Sequence, residues 1–254
     1  MKKVIKILAI ITALGASCNH YIAYTQFNQE PVYISELPTA GVLKKGEFSL
    51  ESNFFKSGGL RLAFNLAPFE NFIFGASFSG TNIIGESKIQ FQKYPGIFLK
   101  YRFLDENTSL PAFALGISTQ GFGPYYENDN RFETFSPGVF LVASKALKNY
   151  FGIFDLHLGF NFSFEPKPRD RTINFYLGFC QTALNVLRLN LEYNANLDEK
   201  TNTVLKNKGM LNFSLDFLLT YNIKFGINLK DLLGNLKNTT SPERNLFFRY
   251  TQKF

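Results

Sequence analysis

The sequence predicts an all-β chain, a closed antiparallel transmembrane β-barrel of about 12 strands with short periplasmic turns and longer outer loops. Three observations carry this expectation. Large apolar and small or polar side chains alternate with a period of two through most of the chain. The connections between the alternating segments are short and long by turns. The stretch from Leu246 to Phe254 is itself such a strand and ends on phenylalanine. Thirty of the 254 residues are phenylalanine and twelve are tyrosine, which suits strands with one face toward lipid. After the N-terminus no uncharged apolar run reaches the roughly 18 residues of a spanning helix.

The elements follow in chain order. Residues 1–17 read as a signal peptide: Lys2, Lys3 and Lys6 form a charged front, Ile7 to Leu14 an apolar segment, and Gly15-Ala16-Ser17 a small-residue exit. Cys18 stands at the cut and is a candidate for lipidation. Against that, Gly15 holds the position three residues before it, where a lipoprotein signal places leucine, so a plain mature N-terminus is the alternative. Residues 18–45 lack a sustained period and contain Pro31, Pro38 and Gly41, so they read as a periplasmic N-terminal segment. The barrel is expected over 46–254.

Its clearest strand is 154–164, with Phe154, Leu156, Leu158, Phe160, Phe162 and Phe164 on one face. Asp155, His157, Gly159, Asn161 and Ser163 take the other. Strands are expected near 46–56, 59–67, 71–81, 95–104, 109–119, 136–147, 150–164, 172–182, 186–197, 208–218, 220–230 and 245–254. The links after the even-numbered strands are short, those after strands 3, 5, 9 and 11 are long and polar, the link after strand 7 is intermediate, and only Ser57-Gly58 after strand 1 breaks the pattern. A soluble sandwich would carry bulky charged residues on its solvent face. Here the polar face is mostly asparagine, serine and glycine, which suits a confined lumen.

Several functions are excluded. Without the three leader lysines the formal net charge falls from +7 to +4, too small an excess to argue for nucleic acid. The chain has two histidines, His20 and His157, and two cysteines, Cys18 and Cys180, with no metal-ligand spacing and no disulfide framework. No cofactor motif is present. Asp155, His157 and Ser163 share a strand face, but hydrolysis needs a nucleophile, base and orienter converging at one point. No catalytic or metal site is expected, and the reading is non-enzymatic.

The lumen charges are the informative residues. Arg61, Lys100, Arg102, Arg188 and Lys224 form a basic strip on the inward face. Closing the barrel brings Glu47 and Glu51 beside Arg249 and Lys253, a pairing across the seam. The strand beside Lys100 and Arg102 offers only Ala112, Ala114, Gly116 and Ser118. Small residues next to a basic strip predict either a narrow, mildly anion-favouring diffusion pore or a lumen filled by matched side chains. Phe122, Tyr125 and Tyr126, in a long outer loop, are candidates for saccharide contact or for plain loop packing. Phe248, Tyr250 and Phe254 on the final strand are the candidate signal to the barrel-assembly machinery. The other partner expected is outer-membrane lipid.

Four phrases carry a family resemblance: Leu37-Pro38-Thr39-Ala40, Leu99 to Leu104, Leu110 to Gly116, and Phe140 to Lys145, with Gly121-Phe122-Gly123 standing at a glycine-rich turn. Over residues 37–160 the chain resembles YjbH-like outer-membrane proteins. The resemblance implies a non-enzymatic barrel associated with exopolysaccharide production or export, and export components as partners.

Overall fold

The computed structural model describes residues 30–200, 204–237 and 239–254. The expected signal peptide and Cys18 lie outside them. In chain order the strands are β1 (Glu47–Phe55), β2 (Gly59–Ala67), β3 (Phe72–Thr81), β4 (Gln90–Phe91), β5 (Gly96–Leu104), β6 (Ala112–Ser118), β7 (Phe122–Tyr126), β8 (Arg131–Thr134), β9 (Gly138–Asn149), β10 (Gly152–Phe162), β11 (Asn174–Ala183), β12 (Leu187–Asn194), β13 (Met210–Leu218), β14 (Ile223–Lys230) and β15 (Glu243–Lys253). Twelve of them close a barrel. Each pairs antiparallel with its neighbours, β1 pairs with β15 at the seam, β2 pairs with β3, the short β4 extends the sheet at the end of β3, and the β7–β8 hairpin forms a separate two-stranded sheet. The expected strand 109–119 begins only at Ala112, because Pro111 has no N–H to give a ladder.

The two faces separate as the alternation requires. Leu50, Leu62, Phe64, Phe74, Phe78, Tyr101, Leu115, Phe160, Leu246 and Phe248 are exposed on the outer surface, while the polar partners between them point inward. So wide an apolar belt far exceeds the few hundred Å² that a soluble monomer leaves to water. With every edge closed, the sheet leaves no backbone group for hydrocarbon to desolvate. The chain is an outer-membrane β-barrel, and lipid is the solvent of its outer face.

Short turns gather at one end. Leu184 and Asn185 both take positive φ in the three-residue link from β11 to β12, the backbone handedness that a tight hairpin needs. The N-terminus of β1 lies at this same, periplasmic end, since Glu47 pairs with Lys253.

The segment expected as a periplasmic lead-in behaves differently. Its described part, residues 30–45, runs inside the barrel. It enters beside Arg102, turns at Ser35 and Glu36, and returns to Gly46. The turn is held by Ile34 N–H donating to Leu37 C=O (2.9 Å) and Thr39 N–H to Val32 C=O (3.1 Å). Val32, Ile34, Leu37, Ala40 and Leu43 join Ile73, Phe98, Ala112, Ala114, Phe140, Val142 and Tyr176 in one buried cluster. The wall is cut to receive it: a Cβ at Gly178 would lie 2.2 Å from Ile34 Cδ1. From the other end, the loop between β6 and β9 folds inward and buries Arg131, Phe132, Glu133 and Thr134.

Candidate functional site: the occupied lumen

Wall side chains, Glu192, Lys100, Tyr176 and Ser144 among them, grip the backbone of residues 30–45. Glu192, fully buried on β12, accepts the amides of Ser35, Glu36 and Leu37 on one oxygen at 3.1, 3.0 and 2.9 Å. Its other oxygen accepts from Asn212 Nδ2 at 2.9 Å. Lys100, on β5, does the converse. Its ammonium donates to the carbonyls of Val32 (3.2 Å), Thr39 (3.0 Å) and Gly41. Tyr176 Oη donates to Pro38 C=O at 2.8 Å. A carboxylate for amides and an ammonium for carbonyls satisfy groups that would otherwise be buried unpaired.

The rest of the basic strip is matched side chain by side chain. Arg61 pairs with Glu51, and Glu51 also takes Arg249 across the seam, Nε to Oε2 at 2.8 Å. Lys224 pairs with Asp216 at 2.8 Å, and Arg188 Nε donates to Thr182 Oγ1 at 2.9 Å. Arg102 holds Glu30 of the segment and Asp105 of the adjoining turn. At the seam, Glu47 and Lys253 stand in register, yet Glu47 accepts the Tyr221 hydroxyl and the Lys44 amide while Lys253 is exposed.

Two vestibules flank the segment. The periplasmic one, about 650 Å³, is lined by Glu30, Arg102, Glu106, Ala112, His157 and Tyr221 among others. The outer one, about 480 Å³, lies among Tyr126, Arg131, Phe135, Glu165, Asp198 and Glu199. Beside the segment, the cavities at Ser35 and Glu36 and at Tyr33 shrink to about 20 and 10 Å³, room for single waters. In this conformation residues 30–45 occupy the passage.

His157 Nδ1 lies 2.8 Å from Ser144 Oγ, which accepts the Ala40 amide. Ser163, six residues further along the same strand direction, accepts the Glu165 amide instead. Asp155, His157 and Ser163 therefore assemble no hydrolytic triad. Of the loop aromatics, Phe122 is drawn into the lumen, where the Arg61 guanidinium sits 4.4 Å from its ring centre. Tyr125 bonds Asn130 and packs edge-on against Phe132, and Tyr126 reaches Glu133 at 3.2 Å. Only Tyr126 of the three lines the outer vestibule. Phe248 and Phe254 are exposed and Tyr250 is half-buried on β15. Cys180 is a free, buried thiol.

In the outer loops, burial raises the Asp198 carboxyl to about 6, and the neighbouring Glu199 adds to the shift. Burial also raises Glu165, against the amides of Phe132 and Ser136 that it accepts. In the periplasmic vestibule, burial raises Glu106.

Sequence reasoning missed Tyr176 and Lys230. Tyr176 is one of several alternating inward positions in the strand expected at 172–182, and nothing in the sequence sets it apart. Lys230 ends β14, a position indistinguishable from an exposed rim lysine.

No family model matches the chain, and no curated protein matches it. Among solved structures it is similar to the NanC porin in a rhombohedral crystal form, at 9% identity and a TM-score of 0.43, over 82% of this chain and 99% of that one. With no family model matching, the likeness to YjbH-like proteins is corrected: the phrases between Leu99 and Lys145 are short strand and turn patterns that alternation alone produces, and Leu37 to Ala40 lies in the lumen segment. The exopolysaccharide role and the export partners implied by it go with it.

Proposed function

We propose that the protein is a passive outer-membrane diffusion channel whose conducting lumen mildly favours anions, and that conduction belongs to a conformation in which residues 30–41 have withdrawn. One observation carries the reading. All of the hydrogen bonds described for the Lys100 ammonium go to carbonyl oxygens of residues 32–41, and Arg102 shares the segment's Glu30. When the segment leaves, the wall keeps both cations and loses those partners, beside the small side chains of Ala112 and Ala114. A cationic constriction between low-dielectric walls favours anions. Phe248 and Tyr250, on the closing strand, serve assembly in this reading and take no part in the passage.

Planar-bilayer recordings under a salt gradient test it. A variant lacking residues 30–41 should conduct steadily with a reversal potential of anion-preferring sign, and adding Lys100→Ala with Arg102→Ala should abolish that preference. A folded deletion variant that carries no current, or that prefers cations, overturns the proposal.

A further inference from the structure

At the outer tip of the lumen segment, three carboxylates meet two lysines. Lys230 is fully buried at the end of β14, with Nζ 3.1 Å from Glu36 Oε1 and 3.9 Å from Glu133 Oε2. Glu36 belongs to the segment and Glu133 to the outer loop on β8. Glu133 Oε1 is already engaged by Lys56 and by Tyr126 Oη, and Lys56 also pairs with Glu243. Its second oxygen is spare, and so is the second oxygen of Glu36: among the described residues neither has a hydrogen-bond partner. Among the described residues Lys230 Nζ likewise forms no hydrogen bond of good geometry, so its 3.1 Å contact with Glu36 is held chiefly by charge.

We propose that Glu133 is the standby counter-ion of Lys230, which takes over the lysine when Glu36 leaves and so lets the lumen segment withdraw. A buried ammonium left alone is strongly unfavourable. Without a replacement, pulling Glu36 away would strand Lys230 in the dry interior. Glu133 stands within reach on a different element that stays behind, and a small inward movement of its free oxygen completes the exchange. The closed state also holds one carboxylate more than the lysines match, a mutual repulsion that departure of Glu36 relieves. The outer loop therefore helps the segment to leave and does not clamp it.

The two glutamates should consequently act with opposite sign. That Lys230 gates conduction rests on the channel reading above, but the exchange itself is read without current, by hydrogen exchange of the amides at residues 32–40 in lipid nanodiscs. Glu36→Gln should speed that exchange about tenfold, the scale of one charge-assisted contact. Glu133→Gln should slow it by a similar factor. Glu133→Asp keeps the charge but is shorter by one methylene, and should also slow it. Heat-modifiable migration on gels shows that each variant is folded. If Glu133→Gln speeds exchange as Glu36→Gln does, or if neither Glu133 variant alters it, the standby role is overturned. Should exchange move as expected while no variant conducts, the switch stands and the channel reading falls.

Discussion

Replacing Glu192 with glutamine isolates the strongest grip on the lumen segment. One oxygen of the carboxylate accepts three backbone amides and the other accepts Asn212 Nδ2. Glutamine keeps the shape but has a single acceptor oxygen. If that oxygen faces Ser35, Glu36 and Leu37, the new NH₂ meets the NH₂ of Asn212. Asn212 cannot simply flip, because its Oδ1 accepts the Asp231 amide at 3.0 Å. Three hydrogen bonds also lose their charge assistance, about 1 kcal/mol each, so that about 2–3 kcal/mol of segment retention disappears once non-additivity is allowed for. At 1.4 kcal/mol per factor of ten, the ratio of seated to withdrawn segment should fall roughly 30- to 150-fold. Hydrogen-exchange mass spectrometry in nanodiscs reads this directly on peptides spanning residues 32–40, with strand β10 as the internal reference. A change of less than about threefold in those peptides, with the variant folded, would refute the idea that Glu192 holds the segment.

Other expectations follow from single contacts. Tyr176→Phe removes the bond to Pro38 C=O and should weaken segment retention by about 1 kcal/mol, seen as faster exchange at residues 37–40 with unchanged barrel melting. Gly178→Ala places a methyl 2.2 Å from Ile34 Cδ1; it should loosen the segment, and adding Ile34→Ala should restore it. Asp198 has its carboxyl raised from 3.8 to about 6 by burial, so the folded loop binds a proton more tightly than the unfolded chain does. Loop stability should then rise as pH falls from above 6 toward 4 and be lost again as pH rises through that window. Limited proteolysis near residues 197–200 should be slower at pH 5 than at pH 7, and Asp198→Asn should remove the difference.

The barrel was legible because its information is local. A period of two fixes the face of every residue in a strand such as 154–164, and loop length marks the end of the barrel for most links, the short link 56–58 at the outer end being the exception. The small residues of β6 were legible as space but not as to what fills it. Residues 30–45 have no period, since the partners of their backbone are side chains from distant strands: Lys100, Ser144, Tyr176 and Glu192. Lys100 and Arg102 looked unmatched along the wall because their partners are carbonyls and a carboxylate of the inserted segment. Phe122 and Glu133 gave no sign of folding inward, for an aromatic or an acid in a long loop reads the same whether it points into a barrel or away from one. The resemblance drawn from four short phrases failed for a related reason, as three of them are strand and turn patterns that alternation alone produces.

The central claim is that the barrel is stoppered by its own residues 30–45, and Cys180 reports on it. This thiol is fully buried in the cluster that the segment forms with the wall. In a Cys18→Ser background embedded in lipid, a charged maleimide should leave Cys180 unmodified in the otherwise intact protein and label it rapidly once residues 30–41 are removed. Prompt labelling of Cys180 with the segment present, in protein that migrates as a folded barrel, would contradict the account.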